Sequence, residues 1–406
     1  VSDGLNTDSQ DIAVTVTAAN DNAPVITSDG GGATATINVA ENTSGVTTLT
    51  ATDADLPGQT LSYSIVGGAD AASFTINVST GALSFTSAPD HEAPGDVGAN
   101  NVYNVTVQVS DGTFTDTQAI AVTVTPVNDN APVIDSDSGG ATAALTVAEN
   151  TTAVTVVSAI DGDLPSQTLS YSISGGADQA LFSINATTGV LSFNVAPNFE
   201  APADAGTDNV YDVIVQVSDG SLTDTQAIAV TVSNTNEAPV ITSDLGGATA
   251  TVSAAENQTA VTTVTSTDVD GGAAVYSIVG GVDSARFSIN ASTGILTFNA
   301  APNFEAPSDA GADNVYDVTV QVADGNGGTD TQVIAVTVTN VNDAPVITSS
   351  ASATVAENQT SAINVTSTDV DGGTAVYSIT GGADQALFTI NASTGILTFN
   401  AAPNFE

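Results

Sequence analysis

The glutamates of this chain recur at fixed positions. Four stand in an A-E-N triplet, four close a P-x-x-E motif, and the ninth lies in a linker that also recurs. The A-E-N residues are Glu41, Glu149, Glu256 and Glu357, the P-x-x-E residues are Glu92, Glu200, Glu305 and Glu406, and the linker residue is Glu237. Glutamates that only solubilise a surface would be scattered, so this register indicates an assigned chemical role.

The charge composition restricts what that role can be. The 406 residues include 45 acids against a single arginine, no lysine and one histidine, which gives a formal net charge of −44. Side-chain cations therefore cannot neutralise the acids, and a hard metal ion that prefers oxygen ligands, such as Ca²⁺, is the first candidate. Self-repulsion of this size opposes compact packing unless cations intervene.

The same composition argues against several function classes. Nucleic-acid binding needs lysine and arginine for the phosphates, and an anionic membrane surface repels such a chain. Cysteine is absent, so disulfides and thiolate metal sites are excluded. We predict that the protein is not an enzyme, because the chain has no cysteine, no lysine and one histidine with which to activate a nucleophile. No apolar run approaches the ~18 residues of a membrane helix.

The chain is built from one repeated unit. The A-E-N glutamates are 108, 107 and 101 residues apart, and residues 289–305 and 390–406 are identical. The linkers N-D-N-A-P, N-E-A-P and N-D-A-P divide the chain into repeat 1 (23–130), repeat 2 (131–237), repeat 3 (238–343) and a truncated repeat 4 (344–406). Residues 1–22 match the closing strand and linker of a preceding repeat. We therefore expect a segment of a longer protein.

Within a repeat, apolar residues alternate with polar ones, as in 102–109 and in 12–17. About seven such strands per ~105 residues, separated by turn signals, predict an antiparallel β-sandwich. Tyr63, Phe74, Phe85 and Tyr103 are predicted core residues of repeat 1. The G-G-x-D acids (Asp70, Asp178, Asp283, Asp384) and the T-D-T-Q acids (Asp116, Asp224, Asp330) are interpreted as solvated turns. An Ala- and Pro-rich insertion at 93–101 has no predicted role.

The ordered motifs resemble the cadherin repeat in its bacterial, cadherin-like form. The matching elements are A-E-N at 40–42, D-A-D at 53–55, F-T-I-N-x-x-T-G at 74–81, D-H-E at 90–92, S-D-G at 110–112 and N-D-N-A-P at 128–132. The resemblance covers essentially the whole chain. It implies an all-β fold of tandem cadherin-like Greek-key β-sandwich domains in an elongated rod, an extracellular location, and Ca²⁺ bound at each junction between successive domains.

The resemblance also implies a ligand set for each junction. The first junction would use Glu41, Asp90, Glu92, Asn128, Asp129, Asn130, Asp161, Asp163 and Asp219. The second would use Glu149, Glu200, Asn236, Glu237, Asp268, Asp270 and Asp324. The third would use Glu256, Glu305, Asn342, Asp343, Asp369 and Asp371. A partial site would remain at Asn20, Asp21, Asn22, Asp53, Asp55 and Asp111, upstream of repeat 1.

The sequence departs from the family pattern in two places. The aspartate of the D-x-E motif is kept only at Asp90, while Asn198, Asn303 and Asn404 replace it elsewhere. The later linkers are also one residue shorter. We expect the loss of a carboxylate to weaken or empty one ion position at those junctions.

These features favour a calcium-rigidified stalk or adhesive region of a large bacterial surface or secreted adhesin, acting in cell–cell, biofilm or surface adhesion. Two alternatives stay open. The first is a subunit of an extracellular filament assembled head to tail by strand donation, because the chain opens with closing strands and ends before its own. The second is a glycan-binding module, although tryptophan is absent. The expected partners are calcium ions, with like repeats of neighbouring molecules or surface glycans as further candidates.

Overall fold

The alternating sequence forms strands throughout the chain. A computed structural model describes residues 1–406 and contains two compact units, Val1–Asn234 and Thr235–Glu406, which are treated separately below. The helical elements are short 3-10 turns at Ala71–Ser73, Gln179–Leu181, Ser284–Arg286 and Gln385–Leu387. None of the helices has the length and apolar character needed to cross a membrane.

The first unit holds residues 1–22, repeat 1, and repeat 2 up to Asn234. The strands of repeat 1 are β1 (Val25–Ile26), β2 (Thr34–Ala40), β3 (Gly45–Thr48), β4 (Ala51–Thr52), β5 (Ser62–Gly67), β6 (Phe74–Ile76), β7 (Ala82–Phe85), β8 (Val102–Ser110) and β9 (Thr115–Thr125). Those of repeat 2 are β10 (Val133–Ile134), β11 (Thr142–Ala148), β12 (Ala153–Val156), β13 (Ala159–Ile160), β14 (Ser170–Gly175), β15 (Phe182–Ile184), β16 (Val190–Phe193), β17 (Val210–Ser218) and β18 (Thr223–Ser233).

The second unit holds repeats 3 and 4. The strands of repeat 3 are β19 (Val240–Ile241), β20 (Thr249–Ala255), β21 (Ala260–Thr263), β22 (Ser266–Thr267), β23 (Val275–Gly280), β24 (Phe287–Ile289), β25 (Ile295–Phe298), β26 (Val315–Ala323) and β27 (Thr329–Thr339). Repeat 4 has β28 (Val346–Ile347), β29 (Ser361–Asn364), β30 (Ser367–Thr368), β31 (Phe388–Ile390) and β32 (Ile396–Phe399).

Each of repeats 1 to 3 is a β-sandwich. In repeat 1, β2, β9, β8 and β5 form one sheet in that order, and β3, β7 and β6 form the other. The β2–β9 pair is parallel, the remaining neighbours are antiparallel, and the short β1 pairs with β4. The same order recurs in repeats 2 and 3. The first two strands of each sandwich are split, so nine segments make the seven strands that the alternation predicts.

The core of each sandwich is aliphatic, with an aromatic cluster at its centre. In β8 the apolar face is 4% exposed at Tyr103 and at most 1% exposed at Val105, Val107 and Val109. The rings of Phe74 and Phe85 stack at 4.6 Å, and Tyr103 meets Phe85 edge-on at 5.1 Å. The predicted core aromatics of repeat 1 are therefore confirmed.

The predicted strand at 12–17 does not form. Ile12, Val14 and Val16 are 76–90% exposed, and residues 1–22 contain only an isolated bridge between Ser2 and Thr7. An alternating apolar face makes a strand only where neighbouring strands supply hydrogen bonds and cover that face. Residues 1–22 contain no counterpart of β8 with which such a strand could pair.

Candidate metal centres at the repeat junctions

The A-E-N glutamates are buried and fix the local backbone. Glu41 follows β2 and is 2% exposed. Its Oε2 accepts a hydrogen bond from the His91 N–H at 2.7 Å, and its Oε1 accepts one from the Val127 N–H at 2.7 Å. Glu256, which is 1% exposed, makes the same two bonds with the N–H groups of Phe304 and Val341 at 2.8 Å. The glutamate thus ties the P-x-x-E motif to the following linker.

The D-x-D acids form a turn that meets the preceding linker. Asp163 donates its N–H to Asp161 Oδ1 at 3.0 Å, and the other D-x-D pairs make the same bond at 2.9–3.1 Å. Asp163 Oδ1 accepts from the N–H of Asn130 at 3.2 Å and from its side-chain amide at 2.8 Å. These contacts join the linker to the downstream repeat.

At the first junction the predicted acids converge. Three groups have carboxylate oxygens within 4.8 Å of one another, namely Glu41, Asp90 and Glu92; Glu92, Asp129 and Asp163; and Asp161, Asp163 and Asp219. Glu92 belongs to the first two groups and Asp163 to the last two. Glu92 also accepts a hydrogen bond from the Leu164 N–H of repeat 2 at 3.0 Å. The chain of shared carboxylates runs from repeat 1 through the linker into repeat 2.

The electrostatics of these groups favour a cation. Two carboxylates about 5 Å apart repel each other by roughly 3 kcal/mol at an effective dielectric of about 20, which exceeds the net value of one hydrogen bond. Buried oxygens at this junction have no hydrogen-bond partner, namely Asp161 Oδ2, Asp219 Oδ2 and Asn128 Oδ1. A set made only of carboxylate and amide oxygens fits Ca²⁺, which takes 6–8 oxygen ligands.

Asp219 is held in its charged form. Burial raises the pKa of its carboxyl, but hydrogen bonds, chiefly from the N–H groups of Ser221 and Leu222, outweigh burial and keep the pKa below its ordinary value. The two backbone bonds are 2.6 and 2.7 Å long. The carboxylate is therefore ready to act as a ligand without first losing a proton.

The site upstream of repeat 1 has the same construction. The carboxylate oxygens of Asp53, Asp55 and Asp111 lie within 4.8 Å of one another. Asn22 donates its side-chain amide to Asp55 at 2.6 Å, and this bond is the main cause of a lowered Asp55 pKa. The N–H of Asp21 also donates to Asp55, and the Asn20 side chain lies beside Asp55 and Asp111.

At the third junction the predicted residues are linked by hydrogen bonds and by the proximity of their charges. Glu305 Oε1 accepts from the Asn340 side chain at 3.0 Å, and the N–H of Asp343 donates to Asp371. Burial, together with the charges of Glu256 and Asp371, raises the pKa of Glu305. Asn342 donates to the Asp343 carbonyl oxygen, and Asp369 accepts from the Asp371 N–H.

The predicted residues of the second junction are divided between the two units. In the first unit, Glu149 is 1% exposed and accepts from the Phe199 N–H, and Glu200 accepts from the Asn234 side chain at 2.9 Å. In the second unit, the Glu237 N–H donates to Asp270, whose own N–H donates to Asp268. The side-chain amide of Asn236 donates to Asp324. Asp324 has a lowered pKa, chiefly because of the Asn236 bond.

In the complete repeats, the two sets of recurring aspartates that were interpreted as solvated turns have structural roles, whereas Asp384 of repeat 4 is exposed as interpreted. Asp70, Asp178 and Asp283 are 4–5% exposed, and each carboxylate accepts two backbone N–H bonds. Asp116, Asp224 and Asp330 accept from the N–H groups of Ile26, Ile134 and Ile241 at 2.8–2.9 Å and so hold the first strand. Their exact recurrence in every complete repeat was the available signal, because a solvated turn needs no fixed register.

Sequence reasoning also missed several amides near the sites. Asn42 and Asn257, the last residues of the A-E-N triplets, donate their side chains to the linker aspartates Asp129 and Asp343. Both have positive φ values, 58° and 59°, which asparagine tolerates better than most residues. Asparagine therefore suits this position of the triplet for two reasons: it tolerates the positive φ, and its side chain bonds the linker aspartate.

The fold and the site define a class: tandem β-sandwiches with carboxylate clusters where repeats meet. The family model described as "Cadherin domain" matches residues 35–127, and the family model described as "Bacterial Ig domain" matches residues 236–337 and 342–406. These matches and the recurring sheet order support tandem cadherin-like repeats.

Similar proteins include human Protocadherin Fat 1, with 29% identity over 97% of this chain and 9% of the relative, and the mouse Cadherin EGF LAG seven-pass G-type receptor 2, with 31% identity over 95% and 13%. The chain thus spans about a tenth of the length of these relatives. Among solved structures, the protocadherin gammaB7 EC3-6 cis-dimer is 21% identical, covers 95% of this chain and 93% of that chain, and has a TM-score of 0.49.

Proposed function

We propose that this chain is a calcium-rigidified extracellular spacer, a stalk or adhesive region of a secreted or surface-attached protein. Each repeat supplies half of a cation site at either end, and the site is complete only where two repeats meet. Bound calcium would supply the positive charge that offsets carboxylate repulsion across the junction. The chain has no catalytic role in this proposal.

The observation that carries the proposal is the first junction. Its three carboxylate groups share Glu92 and Asp163, which belong to different repeats. Neutralising either residue would separate the upstream ligands from the downstream ones. A hydrogen-bonded acidic turn alone would not need carboxylates of two domains to converge within 4.8 Å.

The composition supports the same conclusion. A chain with 45 acids and one arginine cannot hold its junctions by salt bridges. Without cations we expect the linkers to flex, because repulsion separates the carboxylates; with calcium we expect neighbouring repeats to hold one orientation. The cadherin-type relatives support an adhesive setting outside the cell, and the partner there is proposed to be a like repeat on a neighbouring molecule.

Small-angle scattering of the full chain, with calcium and after chelation, tests the proposal. We expect the maximum dimension to be better defined and larger with calcium. A Glu92→Gln, Asp163→Asn variant should resemble the chelated chain at the first junction even in calcium. As a matched control, Asp8→Asn changes an exposed acid outside every junction. Identical scattering curves with and without calcium would refute the proposal.

A counting experiment complements the scattering. Isothermal titration with calcium gives the number of ions per chain, and anomalous scattering from crystals places them. We expect uptake at the junction acids, and ions distributed elsewhere would contradict the assignment of these residues.

A further inference from the structure

The insertion after the P-x-x-E glutamate of each complete repeat is a surface loop that closes around a buried aspartate. It covers 93–101, 201–209 and 306–314 in repeats 1, 2 and 3. Asp96, Asp204 and Asp309 lie inside it and are 3–7% exposed. Each accepts hydrogen bonds from the N–H groups four and five residues later, at 3.0–3.2 Å. The loop is therefore folded around its own carboxylate, in the same way in three repeats.

The sandwich holds this loop at two further points. One carboxylate oxygen of the G-G-x-D aspartate, such as Asp70, accepts from the loop N–H of Val97 at 2.7 Å, and the other accepts from Asn104 in β8 at 2.7 Å. The core residue Tyr103 accepts from the Gly95 N–H through its hydroxyl at 2.9 Å. Repeats 2 and 3 repeat both contacts. The loop is thus fixed to the aromatic core.

From this anchored position the loop reaches the candidate metal centre. Asn101 donates its side-chain amide to the His91 carbonyl oxygen at 2.9 Å. Asn209 and Asn314 make the same bond with Phe199 and Phe304 at 2.9 and 2.8 Å. The N–H of that residue is bound by the A-E-N glutamate, so the residue preceding the P-x-x-E glutamate is held on both sides. In repeat 1 it lies between Asp90 and Glu92.

We propose that the insertion is a brace that positions the P-x-x-E carboxylate for cation binding, with Asn101, Asn209 and Asn314 as its positioning residues. The inference rests on the proposed calcium function. The amides do not replace the carboxylate ligands; they hold the peptide that precedes each glutamate, so that less flexibility is lost when a cation binds. Asparagine suits the position because its φ of 62–64° is left-handed.

The test removes one brace from the full chain. Asn101→Gly deletes the side-chain amide, tolerates the positive φ, and keeps the backbone bonds that Asn101 makes to Asp96 and Val124. Ala99→Gly is the matched control, because Ala99 has a φ of 47° in the same loop and makes no side-chain hydrogen bond. Hydrogen exchange of peptides covering 88–94 is measured during a calcium titration, with 196–202 and 301–307 as internal references.

In Asn101→Gly we expect the calcium concentration that protects 88–94 to rise about fivefold, the value of one lost hydrogen bond, with no change at the two reference peptides. The same peptide should exchange faster in the chelated variant. Asn209→Gly should move both effects to 196–202. The thermal unfolding of the chelated variant should match that of Ala99→Gly.

An unchanged calcium midpoint at 88–94 together with a lower unfolding temperature would overturn the inference, because the amide would then only stabilise the fold. If exchange at 88–94 in the unmodified chain does not respond to calcium at all, the proposed function fails. In that case, hydrogen exchange at 88–94 in the chelated proteins still tests the brace. Faster exchange in Asn101→Gly than in the unmodified chain supports the brace, and equal exchange refutes it.

Discussion

The first and third junctions are built from the same motifs but differ in ligand chemistry and linker length. At the first, Asp90 and the linker N-D-N supply two acids; at the third, Asn303 replaces the aspartate and the linker is one residue shorter. The structure bridges the shorter linker with Asp343, which accepts from Asn257 as Asp129 does from Asn42, and donates to Asp371 as Asn130 does to Asp163.

A second difference concerns the hydrogen bonding of the P-x-x-E glutamate. Asn340 donates to Glu305 at the third junction, where the first junction has Pro126 and no such donor. One scaffold therefore holds junctions of different charge. The backbone bonds of the A-E-N glutamate are kept in both, and the carboxylates around it vary. We expect the first junction to bind calcium more tightly than the third.

The largest expected effect is a loss of stability when the buried A-E-N glutamate, which both junctions share, is removed. Glu41→Ala leaves the N–H groups of His91 and Val127 without their acceptor, so repeat 1 should lose about 2–4 kcal/mol even in chelator. Native-state hydrogen exchange of β8 measures this loss. Glu357→Ala, at an exposed counterpart, should change stability by less than about 0.5 kcal/mol. Equal losses would show that burial of the glutamate is unimportant.

The next effect separates the junctions through a shared ligand. Asp163→Asn removes a carboxylate from two of the three groups at the first junction. Calcium affinity there should fall by roughly a hundredfold, because ligand charge tunes calcium affinity over decades. Hydrogen exchange of the linker 126–131 during titration reports it. Asp371→Asn should act on 340–345 alone; a variant that weakened both linkers would contradict independent sites.

A reciprocal exchange tests the comparison directly. Asn303→Asp should strengthen calcium binding at the third junction, and Asp90→Asn should weaken it at the first, each by about tenfold. The peptides 88–94 and 301–307 serve as readouts for each other. If Asn303→Asp does not increase calcium affinity, the shorter linker rather than the amide of Asn303 limits calcium binding at the third junction.

The smallest effect distinguishes structural carboxylates from ligands. Burial raises the pKa of Asp309, but hydrogen bonds from the N–H groups of Asp313 and Asn314 outweigh it and lower the pKa in the folded chain. Its stabilising contribution is therefore complete above the ordinary value of about 4 and is lost as the pH falls through the lower folded value.

Asp309→Asn should therefore flatten the acid dependence of repeat 3 in chelator, as measured by thermal unfolding between neutral and acidic pH. Asp8→Asn, at an exposed position, is the control. An unchanged acid dependence in Asp309→Asn would assign the acid sensitivity to other carboxylates.

Much of the fold was predictable because its signals are local. The alternation in 102–109, which places Tyr103, Val105, Val107 and Val109 on one face, follows from the period-two geometry of a strand. The grouping of Glu41, Asp90 and Glu92 was implied by the resemblance and agrees with the distances. The brace by Asn101 was not predictable, since it depends on a loop folded around Asp96 and anchored to Asp70, far away in sequence.

The duplicated segment shows where the limit lies. Residues 289–305 and 390–406 have one sequence. Each contains one strand of a hairpin, β25 or β32, which pairs with the preceding β24 or β31 in the same register. Turn chemistry and strand propensity therefore belong to the sequence itself, as does the register of the acids. The burial of these residues is not determined by the segment's own sequence. Leu296 and Phe298 are at most 3% exposed, while Leu397 and Phe399 are only half-buried.

The same contrast holds for the glutamates. Sequence places Glu256 and Glu357 in identical triplets, yet only Glu256 is buried. Glu256 directly follows β20 of the sheet β20-β27-β26-β23, and residues 344–406 form no corresponding sheet. Sequence alone determined which residues carry the charge and at what spacing. Whether those charges are buried and brought together was decided by the tertiary structure, because burial and convergence depend on strands that are distant along the chain.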